Sequence, residues 1–431
     1  MLKNFFYIFL LFISVTAYGQ RTNSSPYSFF GIGQQYSSQT VEQASMGGVG
    51  VSYGNMYHLN FINPAANSRL RFATYSVGLN INDLTIKDNS GSQKSTSTSI
   101  SYINIGFPVG KKAAFSFGLK PNTSVGYSLL KSVNDADGEL SEATRFYGSG
   151  GTSKIYGAYG IEVFKNFSIG FEGEYVFGRT ENTVLAQKRG VYLATKNIEA
   201  TNITGVGLKL GGLYQKELPG KVKMNLGASI KLGNSLSVEG SEYLYSTVVG
   251  ADGSDFPRDT ISSATVSGDL KNPLRTTLGL GFGKENKWYA AVDYEFQDAL
   301  NLDASQIASS SSYTYGASNR VSIGGFYIPK INSISSYWHR VTYRGGVRFQ
   351  DTGLLVNPGN GSGFTKVKDF GISFGLGLPL KDLSNLNLGV EYGKKGTTMN
   401  NLIQENYFNF KLSLSLNAIG NLAWFQKRII D

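Results

Sequence analysis

From Phe72 onward, short runs alternate apolar residues with small or polar ones, the two-residue period of a strand with one face in an apolar medium. In one run Phe167, Ile169, Phe171, Tyr175 and Phe177 share a face, and Ser168, Gly170, Glu172 and Glu174 share the other. Val222, Met224, Leu226, Ala228 and Ile230 oppose Lys223, Asn225 and Lys231 in the same way; further runs begin at Trp288 and Phe408. The pattern predicts about 14 segments, near 72–82, 97–108, 112–120, 150–163, 166–179, 200–214, 222–236, 270–282, 286–298, 317–328, 338–350, 366–378, 384–394 and 405–417. Six tight links, such as Gly110-Lys111-Lys112 and Lys165-Asn166, alternate with seven long Ser/Thr/Asn/Asp/Gly-rich stretches. That sorting by side is the layout of an even-stranded antiparallel membrane barrel with short periplasmic turns and long outer loops. An open sheet of this size would leave unpaired edges and give no reason for such sorting.

Composition removes most alternatives. No apolar run after the N-terminus is long enough for a helical span of about 20 residues. The 431 residues include no Cys, so disulfides, thiolate metal sites, Cys nucleophiles and a lipidated N-terminal Cys are excluded. Only two His are present, His58 and His339, so one chain cannot assemble a multi-His metal centre; neither metal nor cofactor is expected. The formal charge of +10 does not indicate nucleic-acid binding, because Lys and Arg are dispersed rather than gathered in a patch. No nucleophile signature accompanies His339, which reads as an interfacial residue beside Trp338, and an enzyme is not expected. The 26 Tyr and 27 Phe recur at segment ends, where amphipathic rings meet lipid headgroups.

Four regions follow. Residues 1–19 combine Lys3, an apolar stretch from Phe5 to Val15 and small residues at Ala17 and Gly19, the pattern of a secretory signal peptide. Residues 20–70 do not alternate and have the size of a hatch for a lumen of this width. Residues 71–417 form the barrel, and 418–431, with Trp424 and Phe425, form a periplasmic tail suited to docking a protein partner. A Gram-negative outer membrane is the expected location.

The parity opposite the apolar face would line the lumen with Lys209, Lys223, Lys231, Arg275, Arg320, Arg340, Arg344, Arg348 and Lys411 against Glu172, Glu174, Asp293, Glu295 and Glu391. Arg340, Arg344 and Arg348 share a face at spacing four, a guanidinium roughly every 13 Å. Two readings stay open: capture of an anionic headgroup, or pairing with carboxylates of neighbouring strands to hold the wall. Glycines such as Gly205, Gly207, Gly279 and Gly281 lack the dinucleotide-binding pattern and read as lumenal positions leaving room for a ligand or plug.

Gly47-Gly48, Gly50 and then Phe61-Ile62-Asn63-Pro64-Ala65, just ahead of the first strand, resemble the FadL/TodX family of outer-membrane hydrophobic-compound transporters. Tyr147-Gly148-Ser149-Gly150-Gly151 and Glu405-Asn406-Tyr407-Phe408 are similar to its Bacteroidota branch. The resemblance implies a 14-stranded barrel with an N-terminal hatch, and passive uptake of long-chain fatty acids or other hydrophobic molecules. It further implies a site beside the hatch, and a sideways exit through a gap made by an inward kink in the third strand. On that basis Arg340, Arg344, Arg348, Lys209, Phe61, Asn63 and Pro64 are the candidate ligand-binding residues. Pro121 and Asn122 are the candidate gate: Pro121 cannot donate to a ladder and either ends pairing or marks the kink. Outer-membrane lipid and a hydrophobic ligand are the expected partners. Some relatives of this kind transport nothing and act as accessory barrels of secretion or assembly complexes, the PorV-type subunit being one; the loops and tail would serve that alternative.

Overall fold

The computed structural model describes residues 23–250, 252–302, 312–359, 361, 363–380 and 384–418; the signal-peptide segment and residues 419–431 of the tail lie outside them. In chain order the strands are β1 (Gln34–Gln35), β2 (Ala73–Lys87), β3 (Ser92–Val109), β4 (Ala113–Asn134), β5 (Leu140–Phe164), β6 (Phe167–Lys188), β7 (Ala194–Leu218), β8 (Val222–Lys231), β9 (Asn234–Val249) and β10 (Asp255–Asn272). They continue with β11 (Arg275–Lys284), β12 (Trp288–Gln297), β13 (Asn301–Leu302), β14 (Tyr313–Tyr315), β15 (Ser318–Tyr327), β16 (Thr342–Val356), β17 (Thr365–Pro379), β18 (Asn385–Gly396) and β19 (Gln404–Ala418). Fourteen of these, β2 to β8, β11, β12 and β15 to β19, form a closed antiparallel wall, which β19 completes by pairing along all of β2, from Gln404↔Lys87 to Ala418↔Ala73.

Closure satisfies the backbone within the wall, as the hydrocarbon interior requires, except where β3 and β4 part beyond Ile103 and Leu119. The parity read from sequence holds: Phe171 is 52% exposed on the outer face, and its neighbour Glu172 is 1% exposed in the lumen.

Two expectations change. The stretches 121–149, 180–199 and 237–269 are largely strand rather than loop: β4 to β7 run on past the membrane band, and β9 with β10 forms a hairpin paired to residues 194–205 of β7. Outside lipid neither face must be apolar, so these extensions carry Ser, Thr and Asn and give no alternation signal. Likewise 338–350 begins with a 3-10 turn, Trp338–Arg340, and the strand starts only at Thr342.

Residues 23–72 occupy the lumen as a hatch with little regular structure. One helical turn, α1 (Val41–Ala44), is closed by a reciprocal cap between Thr40 and Gln43. A 3-10 segment at Pro64–Arg69 starts with Pro at its first position, where no N–H is needed. Wall glycines make room for it. A Cβ at Gly170 would lie 2.4 Å from the Ala65 nitrogen, at Gly227 2.2 Å from the Val51 oxygen, and at Gly324 2.1 Å from the Met46 oxygen. Hatch backbone therefore packs directly on wall backbone.

Candidate functional site

The hatch is fixed by buried polar contacts around the circumference. Asn63 is fully buried; its amide donates to the Val51 oxygen (2.7 Å) and the Gly212 oxygen (2.9 Å), and its Oδ1 accepts from the Ala65 amide (3.0 Å). The Asp293 carboxylate accepts from the Gly50 and Val51 amides at 2.7 and 2.9 Å. Lys209 Nζ donates to the Phe61 oxygen and to Glu172, both at 2.9 Å. Across the lumen the Gly47 amide donates to Ser373 Oγ (2.8 Å), and Asn387 donates to Glu42 (2.8 Å). Glu42 also faces His58 Nδ1 at 3.1 Å. Burial alone would raise the Glu42 carboxyl, but the charges of His58 and Arg344 outweigh it and hold it at about 2. Each of these contacts gives a buried polar group a partner, without which it would cost about 1–3 kcal/mol.

The remaining lumenal charges pair with one another. Glu172 takes Lys120 (3.3 Å) as well as Lys209, and Glu174 takes Lys154 (3.1 Å) and Lys231. Arg320 meets Glu295 at 3.1 Å. Arg348 bridges Asp369 and Glu391, both at 2.9 Å, and Lys411 also holds Glu391. Of the two readings open at the sequence, the geometry at Arg348 is the wall-holding one. Arg344 is buried and donates to Asn387 Oδ1 at 3.0 Å. Two positions leave the set: Arg340 is exposed in the turn ahead of β16, stacked on Tyr337 with 5.4 Å to the ring centroid, and Lys223 pairs with Glu285 at the half-exposed rim. The spacing of four assigned Arg340 to the lumen, but the chain turns before it reaches the wall. Of the four glycines singled out, Gly279 accommodates the hatch residue Val51; Gly205 makes room for Leu236 of the β9–β10 hairpin, and Gly207 and Gly281 for Glu174 and Tyr289 of the wall.

Arg275, which the sequence offered only as one lumenal cation among many, stands apart. It donates to the neutral Gln297 (2.6 Å) and Gln35 (3.0 Å), and no carboxylate among the described residues lies within ion-pair distance of it. It lines a cavity of about 300 Å³ above the hatch, which Phe61 also borders. The sequence signal was parity alone, because its want of a carboxylate depends on four strands and the hatch meeting.

The cavity extends to an interruption in the wall. β3 and β4 pair for only seven residues, from Val109↔Ala113 to Ile103↔Leu119, whereas β4 pairs with β5 along its whole length. Just beyond Ile103 and Leu119 both strands are bulged. The β2–β3 register skips Ser101 between Tyr102 and Ile100, and the β4–β5 register skips Asn122 between Pro121 and Thr123. A bulge bends its strand, and Pro121 offers no amide to β3, so the two strands separate. Ser97, Ser101, Lys120 and Pro121 line the cavity at this seam. Hatch residues take up the exposed edge of β4: Gln34↔Ser124 and Gln35↔Thr123 pair, and the Tyr36 amide donates to the Asn122 oxygen at 2.9 Å. Pro121 and Asn122, named from the family likeness, lie at this bulge; sequence reasoning missed Ser101, whose bulge follows no residue-type rule.

Known proteins place this architecture. The Pseudomonas putida toluene transporter TodX superposes with a TM-score of 0.60 at 17% identity, covering 90% of this chain and 100% of that one. A Pseudomonas aeruginosa FadL homologue gives 0.59 at 14% identity, covering 89% and 98%, and the CymD monoaromatic hydrocarbon channel 0.57 at 15%, covering 91% and 99%. At these identities the likeness is one of fold, the antiparallel barrel. No curated protein matches the sequence. The family model BamG matches residues 1–431, the whole chain, and the protein therefore belongs to the BamG family.

Proposed function

We propose that the protein is an outer-membrane channel for passive, lateral passage of hydrophobic small molecules that carry a polar head, long-chain fatty acids among them. The observation that carries this reading is the cavity running from Arg275 to the open seam at Ser101 and Pro121. The head would rest against Arg275, the one guanidinium lining the cavity that is held only by neutral amides among the described residues, and the tail would leave between β3 and β4 into the outer leaflet. Burial of the tail, at about 25 cal/mol per Å², supplies the drive. The relatives of known structure are described as a toluene transporter and a monoaromatic hydrocarbon channel. A wholly apolar cargo fits this chain less well, because charged and amide side chains line much of its cavity.

A second reading is favoured by a specific observation. The lumenal charges are mostly paired among themselves and the hatch is anchored on many strands, which suits a non-transporting accessory barrel of a secretion or assembly complex. The absence of Cys allows a clean discriminating test. Ser101→Cys and Pro121→Cys, bridged across the seam by a bis-maleimide, should slow uptake of labelled fatty acid at least tenfold, and Arg275→Gln should deplete free fatty acid from solvent extracts. Uptake unchanged by the bridge and by removal of the protein would refute the channel, and a stoichiometric co-purifying protein would then support the accessory role.

A further inference from the structure

A trough on the outer wall, facing away from the hatch, is built from one row of side chains. Register aligns Phe282 of β11, Ala290 of β12, Gly325 of β15, Gly345 of β16 and Phe374 of β17 at one level. The three small residues form the floor and the two Phe, 37% and 60% exposed, the ends. Val292 and Ile323 border it on one side, Tyr327 and Tyr343 on the other. The result is an apolar groove of about 600 Å³ in the lipid-facing wall, within the range of small-molecule sites.

Its surroundings are not apolar throughout. On the short-turn side lie Lys287, next to the Trp288 that pairs with Tyr327, and Lys330 and Arg340, three residues from Tyr327 and Tyr343; all three are exposed. Backbone hydrogen bonds join these turns, from the Ile328 amide to the Lys287 oxygen (2.7 Å) and from the Lys330 amide to the His339 oxygen (2.8 Å). None of the three cations forms an ion pair among the described residues, and the neighbouring Glu285 is taken by Lys223 at 2.7 Å. Trp338 and Tyr337, exposed beside them, have the chemistry of headgroup-level anchors.

We propose that this trough binds one anionic phospholipid of the periplasmic leaflet, with an acyl chain along Ala290, Gly325 and Gly345 and its phosphate among Lys287, Lys330 and Arg340. Charge complementarity selects the lipid: an apolar slot closed at one end by three cations with no ion pair among the described residues matches a molecule that is apolar at one end and anionic at the other. A slot three strands wide is also too small on its own for a stable protein interface, which needs about 1,000 Å² or more. The site is separate from the lumen, so it stands or falls independently of transport.

Gly345 offers the decisive substitution, because a Cβ there meets nothing closer than 3.9 Å, whereas one at Gly325 would lie 1.9 Å from the Tyr289 oxygen. The full-length protein would be reconstituted in nanodiscs of phosphatidylethanolamine and phosphatidylglycerol at about 3:1 and released for native mass spectrometry. Wild type should retain one phosphatidylglycerol. Gly345→Phe, and independently Ala290→Leu, should reduce that retention at least tenfold while heat-modifiable migration reports an intact barrel. Replacing Lys287, Lys330 and Arg340 together by Gln should return the bound lipid to the bulk ratio. Equal retention of both lipids by wild type, or retention unchanged in either trough-filling variant, would overturn the proposal. So would loss of a co-purifying protein rather than lipid on filling the trough, since the groove would then be a protein contact.

Discussion

Replacing Asn63 by Ala should release the hatch without unfolding the barrel. Its side chain makes three hydrogen bonds, to the Val51 oxygen, the Gly212 oxygen and the Ala65 amide, at a position with no solvent exposure. At a net value of about 1 kcal/mol each, the loss is about 3 kcal/mol, and it approaches 6 if water cannot reach the orphaned groups. Three kcal/mol corresponds to a rise of roughly 10²-fold in the open-hatch population. Hydrogen exchange of residues 40–70 in detergent reads this directly, with the wall ladders as an internal reference. Exchange should accelerate by about that factor in the hatch and stay unchanged at pairs such as Leu412↔Leu388. Asn63→Asp keeps the acceptor for Ala65 but loses both donations, and should fall at or beyond Ala. Protection in the hatch equal to wild type, or loss spread evenly over hatch and wall, would refute the idea that this side chain anchors a separately opening unit.

Other predictions use the same readouts. Gly170→Val would drive a side chain into the Ala65 backbone, and should either expel the hatch or prevent assembly, seen as protease sensitivity of residues 23–72; an intact, protected hatch would contradict the packing described. Arg348→Gln leaves Asp369 without its guanidinium and Glu391 with Lys411 as its one remaining cation, and should destabilise the barrel by about 3 kcal/mol, read as a lower unfolding temperature in detergent, against under 1 for the exposed Arg340→Gln. Glu42 lies below an ordinary carboxylate, so its contribution is present in full above pH about 4.5 and is lost as pH falls toward about 2. Hatch exchange should speed up across that window in wild type and not in Glu42→Gln. Deleting Asn122 would let Pro121↔Ser153 run straight into Thr123↔Thr152; exchange at Gln35 and Tyr36 should rise as β4 straightens, and an unchanged rate would show that the bulge does not set the seam.

The wall was legible because hydrocarbon enforces the pattern: any residue such as Phe171 or Leu280 that faces lipid must be apolar, whatever its partners. Where that pressure ends, so does the signal, which is why β9, β10 and the outer halves of β4 to β7 read as loops. The lumenal charges were legible in parity but not in pairing. Whether Arg348 meets Glu391 depends on register across three strands, and Arg344 and Arg340 look alike until the chain turns at Trp338. Asn63 was singled out through family likeness as a ligand contact, whereas its side chain holds the hatch to β7. A local motif marks a residue that matters without saying whether it faces a ligand or the protein's own backbone.

The glycine seats of the hatch bear on how such a barrel can form at all. Residues 45–65 rest on strands from β3 through β18, which are distant in sequence and meet only in the closed wall. A barrel closed first would have to admit a polar segment through a lumen already crowded by its own ion pairs. A hatch folded first would have no seats to rest on. Assembly must therefore bring the wall round the hatch as it closes, with the Leu414↔Val77 seam between the last and first strands completed late. Such a pathway is dominated by non-local pairing and is correspondingly slow. The segment that blocks the finished pore thus serves beforehand as the former on which the cylinder is wound.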